Sequence, residues 1–75
     1  MAHFEVIVQY ESGSPYHQAR VADGYSYEEL YTDERGRCMF ERDTYKLRIY
    51  VNGTDCGDHP PGKILVTVNR SGYPV

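Results

Sequence analysis

Tyr45-Lys46-Leu47-Arg48-Ile49-Tyr50-Val51-Asn52-Gly53 is the stretch that decides the fold. Tyr45, Leu47, Ile49 and Val51 alternate with Lys46, Arg48 and Tyr50, a period of two that puts one set on each face of an extended segment. A helix would scatter the same residues around its circumference. Asn52-Gly53 then offers the two residue types that take positive φ most readily, which is what a tight hairpin turn needs. The residues that follow, 54–62, are so rich in Gly, Pro and Asp that they predict a loop rather than a pairing strand.

The same alternation recurs outward in both directions. Phe4, Val6, Val8 and Tyr10 fall opposite Glu5, Gln9 and Glu11 and predict a first strand, which Ser12-Gly13-Ser14-Pro15 breaks. Residues 17–22 set Ala19 and Val21 on one face and Gln18 and Arg20 on the other, a second strand. After Asp23-Gly24, residues 25–31 hold Tyr25, Tyr27 and Tyr31 at strand spacing, although Glu28-Glu29-Leu30 also fits a single helical turn. Tyr31-Thr32-Asp33-Glu34-Arg35-Gly36-Arg37 is a polar turn ending at a glycine able to adopt positive φ, and with Cys38-Met39-Phe40-Glu41 it reads as a hairpin. Arg42-Asp43-Thr44 turns the chain into the central strand. The last strand is expected over residues 63–69, with Ile64, Val66 and Val68 on one face, and a frayed tail over 70–75.

Six or seven short strands without a long amphipathic segment predict an all-β fold, a small antiparallel two-sheet sandwich occupying residues 1–75 as one domain. A small barrel is the competing architecture. The inward set is Phe4, Val6, Val8, Ala19, Val21, Leu30, Cys38, Phe40, Leu47, Ile49, Val51, Ile64, Val66 and Val68. At 75 residues the chain is near the lower limit for a core without staples, so modest stability or self-association is expected.

Composition narrows the function classes. The net charge of -3, with acids spread along the chain, leaves no basic stripe to neutralise phosphates, so nucleic acid is not an expected partner. No apolar run approaches membrane-spanning length, and Met1-Ala2-His3-Phe4-Glu5 shows no charged leader, which predicts a cytoplasmic protein with no membrane partner. In that compartment Cys38 and Cys56 are expected to be free, whereas a bridge between them would close a loop of about eighteen residues. The eight tyrosines, with no tryptophan, put most of the aromatic mass in rings that carry a hydroxyl and suit half-wet surfaces.

The order of short motifs resembles the prealbumin-like sandwich of transthyretin-like and carboxypeptidase-regulatory-like domains. Its carriers are Gly13-Ser14-Pro15, Ala19-Arg20-Val21, Tyr31 with Thr32-Asp33-Glu34-Arg35-Gly36-Arg37, then Phe40 and Thr44-Tyr45-Lys46-Leu47. The resemblance implies a seven-stranded sandwich acting as a spacer, adhesive or docking module. One enzymatic branch, the hydroxyisourate hydrolases, has a similar Thr32 to Arg37 segment and supplies the alternative function, a small hydrolase. Its C-terminal Tyr-Arg-Gly-Ser is not matched by Asn69-Arg70-Ser71-Gly72-Tyr73-Pro74-Val75, and neither His3 nor another histidine aligns with its catalytic ones.

Among chemistry-bearing residues, Asp55-Cys56-Gly57-Asp58-His59 gathers a thiol, two carboxylates and an imidazole. The spacing lacks a second ligand pair for zinc, and a Cys56–His59 nucleophile pair lacks an orienting third group. No metal, cofactor or catalytic residue is therefore expected. Tyr25, Tyr27, Tyr31 and Tyr50 form the candidate partner-binding set, since exposed tyrosine gives contact area at low side-chain entropy cost. With Glu28-Glu29 and Asp33-Glu34 beside them, the expected partner is another protein with a basic or polar surface, or a second copy docking through an edge strand.

Overall fold

Alternation turns into seven strands in the computed structural model, which describes all 75 residues. These are β1 (Ala2–Tyr10), β2 (Arg20–Asp23), β3 (Glu29–Tyr31), β4 (Arg37–Arg42), β5 (Leu47–Val51), β6 (Thr54–His59) and β7 (Gly62–Val68). They form two sheets, a three-stranded β4-β1-β7 and a four-stranded β3-β2-β5-β6. The small two-sheet sandwich stands, with one pair departing from the antiparallel rule. β1 runs antiparallel to β4 and parallel to β7, pairing Val6 with both Cys38 and Ile64. There is no helix, and so none long and apolar enough to cross a membrane.

Twelve of the expected inward residues are buried and form one cluster between the sheets, from Phe4, Val6 and Val8 on β1 to Leu47, Ile49 and Val51 on β5. Leu30 and Cys38 are only half-buried, because β3 and β4 are edge strands with a neighbour on one side alone. At about 1.5 to 3 kcal/mol for each large side chain, this cluster is the main stabilising term.

Four local expectations are corrected. Residues 54–59 are not a loop: β6 pairs with β5, Arg48 opposite Asp58 and Tyr50 opposite Asp55. Asn52 at φ 50 and Gly53 at φ 85 make the tight turn, and the register slips between Arg48 and Tyr50, near Gly57 at φ 83, so a glycine-containing strand fits as a bulged edge. Tyr25 and Tyr27 precede β3, so the third strand is shorter than expected and the candidate helical turn is absent.

The segment around Gly36 is not a hairpin, because β3 and β4 lie in different sheets. It is a crossover that closes one side of the sandwich. Buried Thr32 holds it: the Ala19 N–H donates to its Oγ1 at 2.9 Å, and that hydroxyl donates to the Tyr16 carbonyl. Thr32→Val keeps the shape but strips both bonds, leaving a buried N–H unpaired. A loss of about 1–3 kcal/mol is expected in a urea titration.

Asp33 shapes the next turn by accepting the backbone N–H groups of Arg35 at 2.8 Å and Arg37 at 3.1 Å. The Arg37 and Arg35 N–H bonds hold its carboxyl below its ordinary value of 3.8. A depressed folded-state pKa adds stability above the unfolded value that is lost as pH falls through the folded one. The melting temperature should therefore drop below about pH 4, and Asp33→Asn should flatten part of that slope.

The tail is also ordered rather than frayed. Val68 bridges Pro74, the Val75 N–H donates to the Thr67 carbonyl at 3.1 Å, and the Asn52 side-chain amide donates to the Gly72 carbonyl at 2.6 Å. Tyr16, stacked on Tyr10 with centroids 4.9 Å apart, receives a bond at its hydroxyl from the same Asn52 amide.

Candidate functional site

Asp23, the last residue of β2, is fully buried although it is a carboxylate, and it is the residue around which the site is built. Burying a charge is unfavourable unless it is paired and hydrogen-bonded. Here Arg42 Nε, at the end of β4, donates to Asp23 Oδ2 at 2.6 Å, while the N–H groups of Ser26 and Glu28 and the Ser26 hydroxyl donate to the other side of the carboxylate. Arg42 continues to the Glu28 carboxylate and the Glu41 carbonyl, and its guanidinium lies 5.1 Å from the Phe40 ring centre. Since β2 and β4 belong to different sheets, this network clasps one end of the sandwich.

The loop at residues 24–28 is wound around that carboxylate. Its polar groups turn inward to Asp23, and its two aromatic rings turn out: Tyr25 is 54% exposed and Tyr27 is 79% exposed. Tyr27 has φ 60, a left-handed conformation that costs a bulky residue about 1–3 kcal/mol. Neither ring adds to the core.

Tyr25, Tyr27 and Tyr50 share one groove of about 410 Å³ with Gly24, Lys46, Arg48 and Asp58. Tyr50 comes from the outer face of β5, opposite Ala22 on β2 and Asp55 on β6. Arg48 is neutralised on that face by Asp55 at 2.6 Å and Asp58 at 3.3 Å. Lys46 takes part in none of the ion pairs, so it is the groove's free charge. This adds a cationic point where an acid-flanked surface was expected.

Tyr31 is exposed but does not line the groove, lying on edge strand β3 opposite Arg20. Tyr45, which the alternation places at the start of the central strand, sits instead in the turn before β5, 91% exposed. Its spacing from Leu47 matched the strand pattern, and only the later onset of β5 frees it.

The thiol and imidazole candidates are not brought together. Cys38 lies on β4, the edge strand clasped toward β2, whereas Cys56 lies on β6 in a cleft with Leu65 and Val66 of β7, at the other open side. Both are free. Burial pushes the Cys38 thiol up to about 12 and also raises Cys56, so both are protonated at neutral pH and poor nucleophiles. The His59 Nε2 lies 2.8 Å from the Cys56 carbonyl rather than on its sulfur. His3 pairs with Glu41 on the outer face of β1, and His17 lies beyond that strand's other end, beside Gln18. No three His, Cys, Asp or Glu side chains converge as metal ligands.

The chain's identifiable chemistry is therefore a loop hydrogen-bonded to Asp23 that displays tyrosines beside a shallow polar groove. Comparison with protein-family models, with curated proteins and with solved structures gives no match.

Proposed function

We propose that the chain is a non-catalytic interaction module that docks another protein through the groove of Tyr25, Tyr27 and Tyr50. The carrying observation is the loop itself: it is wound on a buried carboxylate, holds Tyr27 in a left-handed conformation and leaves both its rings in water. Preorganised aromatic side chains lose little entropy on binding, which is how tyrosine-rich loops at the end of a sandwich make recognition surfaces. Unpaired Lys46 favours a partner that brings an acidic or carbonyl group to that side of the groove.

The prealbumin-like reading has support in the placement of its motif residues. Ala19 and Val21 enter the core, Thr32 to Gly36 form the crossover, and Phe40 packs from β4. These residues act here as framework, which favours the docking role over the hydrolase one. Two free, protonated thiols fit a cytoplasmic setting.

The test is affinity capture from the native cell with wild-type protein and with Tyr25→Ala/Tyr27→Ala, followed by calorimetric titration of the captured protein. Loss of binding by about tenfold or more with an unchanged thermal melt is expected of an aromatic anchor. Equal binding by both forms would remove the loop as the docking surface.

A further inference from the structure

A second surface, remote from the tyrosine loop in the β order, is defined by backbone rather than side chains. β7 is one of the two outer strands of the three-stranded sheet, β4 being the other, and it carries an edge on the side away from β1. Its Val68 carbonyl accepts Glu11 N–H, so Ile64, Val66 and Val68 turn their backbone groups toward β1. Lys63, Leu65 and Thr67 turn theirs outward. The Thr67 carbonyl is already taken by Val75, and Val68 bridges Pro74, so the folded-back tail covers the C-terminal end of the edge. Pro60 and Pro61 stop it at the other end.

What remains open is a five-residue edge, 62–66, whose outward backbone groups belong to Lys63 and Leu65. These two residues are placed evenly about Ile64. We propose that β7 pairs antiparallel with β7 of a second copy, across a two-fold axis through Ile64, to join the two small sheets into one of six strands.

The register is self-complementary. Lys63 faces Leu65 of the other copy and Leu65 faces Lys63, so each outward N–H and C=O of these residues meets a partner carbonyl or amide. The two ammonium groups stay apart, and each can lie along an apolar neighbour. Leu65, 59% exposed on the outer face, would be covered by the facing Lys63 stem. A parallel or one-step-shifted pairing would leave part of this set unbonded. Over residues 62–66 the edge has no proline, and its one charged side chain, Lys63, would lie opposite Leu65 of the other copy rather than opposite a second lysine.

Sedimentation velocity between micromolar and millimolar concentration reads the pairing. The wild type should pass from the 8.7 kDa chain to twice that mass. Leu65→Pro removes an N–H that points to the open edge and not to β1, so it should leave the fold intact and give only monomer. Should that variant fail to fold, a charge pair answers independently. Leu65→Lys puts an ammonium opposite Lys63 of the other copy and should weaken dimerisation at least tenfold, and adding Lys63→Glu should restore it.

A wild type that stays monomeric at millimolar concentration overturns the proposal. So does a folded Leu65→Pro variant that still dimerises, or a charge pair whose second member rescues nothing. Because Tyr25 and Tyr27 are unchanged in every variant, failure here leaves the tyrosine docking test standing.

Discussion

Gly36→Ala should be the most damaging single-methyl change in this chain, lowering stability by more than about 3 kcal/mol, or about 12 °C or more in melting temperature for a domain of this size. Two costs coincide. Gly36 has φ 77, where an L side chain is strained, and an added Cβ would lie 2.4 Å from the Val8 carbonyl oxygen and 3.2 Å from the Tyr16 nitrogen. Both are backbone atoms, and neither can swing aside. Val8 donates its N–H to the Gly36 carbonyl at 2.7 Å and accepts the Tyr16 N–H at 3.0 Å, so the clash falls where the crossover, the first strand and the following loop are bonded together. Gly13→Ala is the control. Gly13 has φ 93 but no atom within 4 Å of the added carbon, so it reports the conformational cost alone, about 1 kcal/mol. Matched melts of the two variants separate strain from collision. If Gly36→Ala melts within a few degrees of Gly13→Ala, the close approach to Val8 is not a feature of the protein in solution.

The contrast between Gly36 and β6 shows where a sequence stops being legible. Phe4, Val6, Val8, Leu47, Ile49 and Val51 declare their strands because each strand's own alternation carries the information. β6 has no such alternation. Its residues 54–59 include no aliphatic side chain, and it pairs because β5 and the Asn52-Gly53 turn deliver it and because Arg48 meets Asp55 and Asp58 across the ladder. Those causes lie on another strand. The turn at residues 32–36 reads the same whether it returns within one sheet or crosses to the other. What decides is the burial of Thr32 under Ala19 and Tyr16, contacts made thirteen to sixteen residues away.

The candidate site was half legible for the same reason. Tyr25, Tyr27, Tyr31 and Tyr50 stand out as aromatic residues in a chain this polar, and the structure brings three of them, Tyr25, Tyr27 and Tyr50, into one groove. Their spacing with Tyr31 imitated a strand, and nothing local distinguishes that from a loop wound on a carboxylate. The signal that was available was Asp23-Gly24-Tyr25-Ser26, an acidic residue followed by Gly and Ser, the composition of a side-chain-capped turn. Its counter-ion, Arg42, is nineteen residues on and could not be paired with it by pattern.

That pair sets the second large effect. Asp23→Ala should cost about 3–5 kcal/mol, the range for removing one member of a buried ion pair, because it leaves the Arg42 Nε–H without its buried partner and the N–H groups of Ser26 and Glu28 without their acceptor. Asp23→Asn separates the two parts: its amide oxygen can still accept the loop N–H groups, but Arg42 keeps only the Glu28 carboxylate as counter-charge, so an intermediate loss is expected. Arg42→Met tests the other partner, and Asp23→Ala/Arg42→Met should cost less than the two single losses added together, since each single change leaves a buried group unpaired that the double change removes. Denaturant titrations of the four proteins give the coupling. The loop supplies a second readout: with Asp23 gone, amide hydrogen exchange at Ser26 and Glu28 should accelerate toward that of an open turn even in conditions where the sandwich remains folded. Additive losses, with exchange at residues 26 and 28 unchanged, would mean that the carboxylate does not hold the tyrosines in place.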